Sequence, residues 1–294
     1  MVVRDIRELT DQPEAYAEEL TRRWSGLLSY RYIGRHFDSM DEGEENGTVP
    51  VRRDMRNPAG GLLVAPISIA SPEGGLLTDL TSVPNPVVHS CHIVDPGHDV
   101  RSFEVRRSED LRTGRRLAYS RSVIVDADAP DRVLAVTEGQ GAIIGVPPAG
   151  LQRMPGAPLV IEDSPDLPPL SEAFGVLRRP TGEWALPELT VDVASPDAAL
   201  HIGPQHVLLE TAAMDAASAA LGGPVQLRSW HVMFLARGKH GPFRVECEPA
   251  TGTGSMVGVR MTLHDEGADD VRITSVSALF EAGARLSAYR TTGR

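Results

Sequence analysis

The 294-residue chain is poor in several things that would mark particular classes of protein. It has two cysteines, Cys91 and Cys247, with no C-x-x-C pair and no Cys/His cluster, so a zinc site of common spacing is not expected and no metal is assigned. Lys239 is the one lysine among 29 cations; with abundant Ala, Gly and Pro, the preference for arginine reads as genome bias. Acidic residues number 40 and the formal net charge is −11, which argues against a general nucleic-acid partner. No run of 18 apolar residues could span a bilayer, and MVVRDIRELTDQPEAYAEEL at the start lacks the apolar stretch of a signal peptide. The expectation is a cytoplasmic protein with free thiols and no membrane contact.

What is present suffices for ordinary globular domains: 41% hydrophobic and 23% charged residues, in a length that suggests two domains of similar size. Residues 12–26 place Tyr16, Leu20 and Trp24 at four-residue spacing, which predicts an amphipathic helix. After an acidic loop at 38–47 and a short strand near 48–54, the apolar stretch 60–75 reads as a buried helix. Four strand-like runs follow at 87–94, 99–108, 116–126 and 132–145. The Pro/Gly-rich, nearly uncharged segment 147–158 is the best linker candidate. The order then recurs: a helix near 168–177, a strand at 183–193, a long apolar helix at 205–221, and strands at 225–236, 241–249, 255–265 and 270–282.

Shared marks accompany the repeated order. Gly60 matches Gly203 at an offset of 143; Phe103-Glu-Val matches Phe243-Arg-Val, and Gly114 matches Gly254, at 140; Val133, Ala135 and Thr137 match Val271, Ile273 and Ser275 at 138. These marks point to a duplicated α+β unit, residues 1–148 and 159–294 joined by 149–158. Each unit would be an antiparallel sheet wrapped around a central helix, the two sheets meeting edge to edge and so covering exposed strands.

The segment Gly203-Pro-Gln-His206-Val-Leu-Leu-Glu-Thr-Ala-Ala-Met-Asp215 resembles the central-helix motif of hotdog-fold thioesterases, in particular the PaaI-like acyl-CoA thioesterases. That motif is N-x-x-G-x-x-H-G-G with an Asp or Glu nine positions after the His. Gly203, His206 and Asp215 fit its spacing, while Leu200 stands at the Asn and Val207-Leu208 at the Gly-Gly. In the first half Asn57-Pro-Ala-Gly60-Gly-Leu-Leu63-Val64-Ala65 supplies the Asn and Gly; Leu63 takes the His position and Pro72 the acid position, with Glu73 one residue off. The resemblance implies a double hotdog with a site between paired units, the helix start from one and the acid from the other.

On that rule one centre is complete. The Val64 N–H and the Asn57 amide, with Gly60 in the turn between them, would polarise a thioester carbonyl. Asp215, in a helix otherwise made of Ala, Leu, Met and Val, would act as base or nucleophile. The reciprocal centre, with Leu200, His206 and Val207 facing Pro72, has no acid. Glu210 shares the apolar helix but points about 140° away from Asp215, so it reads as a structural acid or as facing a second pocket. His206 reads as capping the helix start beside the substrate. His89, His92, His98, His201, His231 and His240 read as sheet and loop residues. Arg112, Arg115 and Arg116, in the run RRSEDLRTGRR, could hold coenzyme A phosphates or belong to a solvated hairpin.

The expected activity is acyl-CoA hydrolysis with water and without a cofactor, the coenzyme A thioester being substrate. Two alternatives stay open: a catalytically silent acyl-binding protein, favoured by the missing Gly-Gly, and an enoyl-CoA hydratase or dehydratase, suggested by Asn57-Pro58 but lacking its His. Joined hotdog units often pair further, so a homo-oligomer is allowed.

Overall fold

The computed structural model describes residues 6–35, 48–71, 83–144, 159–252 and 254–283. The acidic loop 38–47, the linker 147–158, and Pro72 and Glu73 lie outside them. In chain order the elements are α1 (Pro13–Trp24), α2 (Leu28–Ile33), β1 (Val49–Pro50), α3 (Val64–Ala70), β2 (Val83–Ile93), β3 (Ser102–Thr113), β4 (Leu117–Asp126) and β5 (Val133–Ile144). The second half gives α4 (Leu170–Ala173), β6 (Leu177–Arg178), β7 (Trp184–Leu186), α5 (Ile202–Leu221), β8 (Val225–Phe234), β9 (Phe243–Thr251), β10 (Met256–Asp265) and β11 (Val271–Ala282). Several expected elements are shorter than the sequence pattern suggested: the strand near 48–54 is Val49–Pro50, and the helix expected within 60–75 starts at Val64 and ends at Ala70. The strand expected at 183–193 ends after Leu186, where Pro187 withdraws a backbone donor, and the helix near 168–177 keeps four residues, between Pro169 and the positive-φ Gly175.

Among the described residues all strands join one antiparallel sheet, ordered β1-β3-β4-β5-β2-β8-β11-β10-β9-β7-β6. Read outward from its centre, β2-β5-β4-β3-β1 corresponds in order to β8-β11-β10-β9-β7, with β6 added beyond β7 on the second side. The central pair β2/β8 sets Cys91 opposite Trp230. Around that point Ser90 Oγ meets His231 Nδ1 at 2.8 Å, and Ser229 Oγ meets His92 Nδ1 at 3.2 Å, one contact repeated with the halves exchanged. Strands β4 and β10 show the same succession of buried and exposed residues, the period-two signature of a sheet with one covered face. Phe103 opposite Asp126 and Phe243 opposite Asp265 are likewise equivalent.

Helix α5 is the longest helix described, at 20 residues. It packs against strands β7 to β11 on one side and α3 on another, which is why its sequence is apolar around most of its circumference. It stops at Gly222 in the left-handed conformation (φ 72°), whose N–H returns to the Ser218 carbonyl. Every residue of α3 is buried, between α5, α2 and β2. Away from the sheet the two halves touch at several places, and the meeting of α3 with α5 holds the candidate site. Among the described residues no helix is long and apolar enough to cross a membrane.

Candidate active site

The site starts from a tight turn. Asn57 Oδ1 accepts the N–H groups of Ala59 (2.9 Å) and Gly61 (3.2 Å), and the Asn57 N–H donates to the Gly61 carbonyl at 2.8 Å. Gly60 takes φ 89°, a conformation glycine adopts without steric cost. Asn57 Nδ2 donates to Gln226 Oε1 at 2.9 Å, tying the turn to β8 in the other half. A Cβ on Gly61 would overlap that Gln226 oxygen and push the amide off its bond to Asn57. Past the turn α3 begins at Val64, and its third residue, Pro66, has no N–H. The helix start therefore offers the N–H groups of Val64 and Ala65, which lack intrahelical partners.

Both are taken by one side chain. Glu210, from the middle of α5 and 2% exposed, accepts Val64 N–H on Oε1 at 2.7 Å and Ala65 N–H on Oε2 at 2.8 Å. Burial pushes its pKa up from 4.5 to about 7, and the two N–H bonds pull the other way without overcoming that. A carboxylate so held exchanges its proton near neutrality. Beside it lies a cavity of about 410 Å³, walled by Arg56, Asn57 and Leu63 from the first half and by Leu170, Val207 and Met214 from the second.

The structure places Asn57, the Gly60 turn and Val64 together, with the Asn57 amide engaged by Gln226, and opposes them with Glu210 and not with Asp215. The Asp215 side chain is 42% exposed, ion-pairs with Arg178 at 3.3 Å and accepts Trp184 Nε1–H at 3.2 Å. Five positions along α5 turn it about 140° from Glu210, toward β7 and away from the cavity. His206 is also displaced from its expected role. It is buried against the sheet, where its Nδ1 accepts Trp230 Nε1–H at 3.2 Å and its ring lies 5.5 Å from His89 and 5.8 Å from Phe234. Burial holds its pKa well below 6.5. Arg112, Arg115 and Arg116 are exposed where β3 turns into β4, whereas the cavity lies beside the opposite end of β3, where Arg56 reaches Gly97 and Val100. They do not line it.

Gly60 and Gly203 lie 143 positions apart, whereas the structural counterparts before the two helices lie 138 apart, five residues closer. In the structure Pro66 and Pro204 are each the third residue of their helix, and the bridge Arg56–Leu62 corresponds to Ala194–Leu200. Gly60 (φ 89°) corresponds to Ala198 (φ 56°), and Leu63 to His201, each the residue before its helix. The counterpart of Asn57-Pro-Ala-Gly-Gly-Leu-Leu63 is thus Ser195-Pro-Asp-Ala-Ala-Leu-His201. The Pro and Leu shared at matching places are the signal that would have revealed it. Counted from His201, the acid nine positions on is Glu210.

The equivalent place at the start of α5 is filled differently. Gly203 N–H donates to His201 Nδ1 at 3.4 Å, and Ser29 Oγ lies 2.9 Å from the same nitrogen, with its Cβ where a side chain on Gly203 would go. Burial pushes the His201 pKa down to about 3. No acidic side chain among the described residues hydrogen-bonds to this helix start, and none of them forms a cluster of three or more His, Cys, Asp or Glu suited to a metal ion.

No protein-family profile matches the chain, and no curated protein sequence does. Solved structures do. A conserved protein of unknown function with a hotdog fold from Alicyclobacillus acidocaldarius aligns over 87% of this chain and 98% of its own, at 12% identity and a TM-score of 0.53. The TesB protein of Mycobacterium avium subspecies paratuberculosis aligns over 82% of this chain and 94% of its own, at 18% identity and a TM-score of 0.53. Identities this low speak for the fold alone, and that fold spans both halves.

Proposed function

We propose that this hotdog-fold chain is a double hotdog that hydrolyses acyl thioesters, with coenzyme A as the carrier, at one centre between its halves. The observation that carries the reading is the Glu210 carboxylate seated on the Val64 and Ala65 N–H groups at the edge of a cavity, nine positions after His201. The resemblance to hotdog thioesterases requires an acid from one unit facing the helix start of the other, and Glu210 meets that requirement. The TesB neighbour agrees with this reading at the level of fold.

In the proposed reaction the thioester carbonyl oxygen takes the Val64 N–H, while Glu210 keeps the Ala65 N–H. Glu210 removes a proton from water, and the oxygen adds to the carbonyl carbon. The oxyanion so formed is stabilised by the Val64 N–H. The C–S bond then breaks with its electron pair passing to sulfur, and the proton held by Glu210 goes to the thiolate. The products are the carboxylic acid and the thiol. A group whose pKa lies near 7 is suited to both transfers, and such catalysis contributes typically 10²- to 10⁴-fold. Asn57 shapes the turn that delivers Val64; its amide serves Gln226.

The test is turnover of an acyl-CoA series by the full chain. Glu210→Gln should lower kcat by at least about 100-fold, within the range for a positioned base, and Asp215→Asn should leave it unchanged. Undiminished turnover in Glu210→Gln would refute the assignment. A second reading, a silent acyl-binding protein, is favoured by one observation: both N–H groups at the helix start are already bonded to Glu210. Acyl-CoA binding without hydrolysis would select it.

A further inference from the structure

Arg56 differs from the neighbouring arginines in what balances its charge. Arg52 pairs with Asp54 at 3.1 Å and Arg53 with Asp163 at 3.0 Å. Arg56 lines the cavity half-buried and makes no ion pair among the described residues. Its Nη1 donates to the carbonyls of Gly60 (3.0 Å) and Gly97 (2.9 Å), and its Nη2 to that of Val100. These three bonds hold the guanidinium rigidly and use three of its five N–H groups. The Nε–H and one Nη2–H remain for a ligand's oxygens. Asp163 and Asp99 act on it only at longer range. A half-buried cation balanced by neutral carbonyls is expensive unless a ligand completes it.

We infer that the cavity recognises an acyl group carrying its own carboxylate, seated on Arg56. The inference rests on the thioesterase reading of Glu210 and extends it to the substrate class. Arg56 and Glu210 line the same cavity of about 410 Å³, so the anion lies close to the reacting carbonyl. A carrier phosphate shares the oxygen-anion chemistry but sits at the far end of a pantetheine arm, roughly 15 Å long when extended. That length carries it beyond such a cavity. The lining also includes the apolar Leu63, Leu170, Val207 and Met214, which suit a methylene spacer, and the ion-paired Arg53 and Asp54. The substrates are therefore thioesters of short dicarboxylic acids.

The experiment compares adipyl with hexanoyl thioesters, equal in chain length, on coenzyme A and on N-acetylcysteamine, which has no phosphate. The protein should prefer adipyl over hexanoyl by roughly 10- to 100-fold in kcat/KM, the value of a charge-assisted hydrogen bond, on both carriers. Arg56→Gln should bring that ratio to about one. Should Arg56→Gln not fold, Arg56→Lys, which keeps the charge without the fork, should lose most of the preference. A ratio unmoved by either substitution, or no initial preference, assigns Arg56 to tying its loops together and overturns the inference. Arg56→Gln slowing coenzyme A thioesters while sparing those of N-acetylcysteamine assigns the anion to phosphate and overturns it equally. If no thioester is hydrolysed, the thioesterase reading fails on its own. Calorimetric titration with adipate and hexanoate then decides: adipate binding lost in Arg56→Gln sustains the anion site, and absence of adipate binding removes it.

Discussion

The buried carboxylate of Glu210 should make the protein less stable as pH rises from weakly acidic to neutral. Its pKa stands at about 7 in the folded chain against 4.5 when exposed, so between those values the native state holds a proton that the unfolded state has released. Stability from this group is complete below pH 4.5 and is lost as pH climbs through 7. A shift of this size corresponds to about 3 kcal/mol. Glu210→Gln cannot titrate. It adds a constant penalty of about 1–3 kcal/mol, because its amide presents one oxygen to two backbone donors and leaves one unsatisfied. Urea unfolding of both proteins at pH 4.5, 5.5, 6.5 and 7.5 isolates the effect. His201 and His206, whose depressed values act in the opposite sense, are present in both and cancel in the difference. The stability of wild type relative to the variant should fall by about 3 kcal/mol across this range. A difference that stays flat, or rises with pH, would show that Glu210 is solvated or ionised in the native state and would remove the physical basis for its role as a base.

Other expectations follow from the same geometry. If Glu210 is the base, kcat/KM should rise about tenfold per pH unit below 7 and level off above it; a profile flat between pH 5 and 8 would contradict that. Gly61→Ala should destabilise by about 2 kcal/mol through overlap with Gln226, and Gln226→Ala in the same chain should recover part of the loss, a non-additivity that thermal melts of the two singles and the double can read. Asp265 is fully buried and accepts the N–H groups of Lys239, His240 and Gly241 at 2.8, 3.1 and 2.8 Å. Asp265→Ala should therefore cost about 3 kcal/mol or more, and a loss under 1 kcal/mol would mean that water replaces the carboxylate. Since the His201 pKa is pushed from 6.5 to about 3, its stabilising effect is present above pH 6.5 and lost as pH falls toward 3. Replacement by Asn should flatten that acid limb in a urea series.

Much of this architecture could be read from residue order because it is encoded locally. The alternation along 116–126 and 255–265 is a property of neighbouring side chains, and it reappears as β4 and β10 with one covered face each. The strand mark Phe103 with Phe243 is a structural equivalence, each phenylalanine facing an aspartate on the neighbouring strand, whereas Val133 corresponds to Arg272 and not to Val271, one residue from the sequence match, beside the register shift that each half carries there. The segment before the long helix did not yield in the same way. There the place of the motif glycine is held by Ala198, in a positive-φ conformation that its identity does not announce, and Gly203 is the more conspicuous glycine in sequence. The choice of acid belongs wholly to packing. Helix α5 is apolar on nearly every side, so no stripe in its sequence tells which face meets α3 and which meets the sheet. The docking of α3 onto α5, by contacts distant in the chain, turned Glu210 toward two unpaired N–H groups and left Asp215 to Trp184, Arg178 and water.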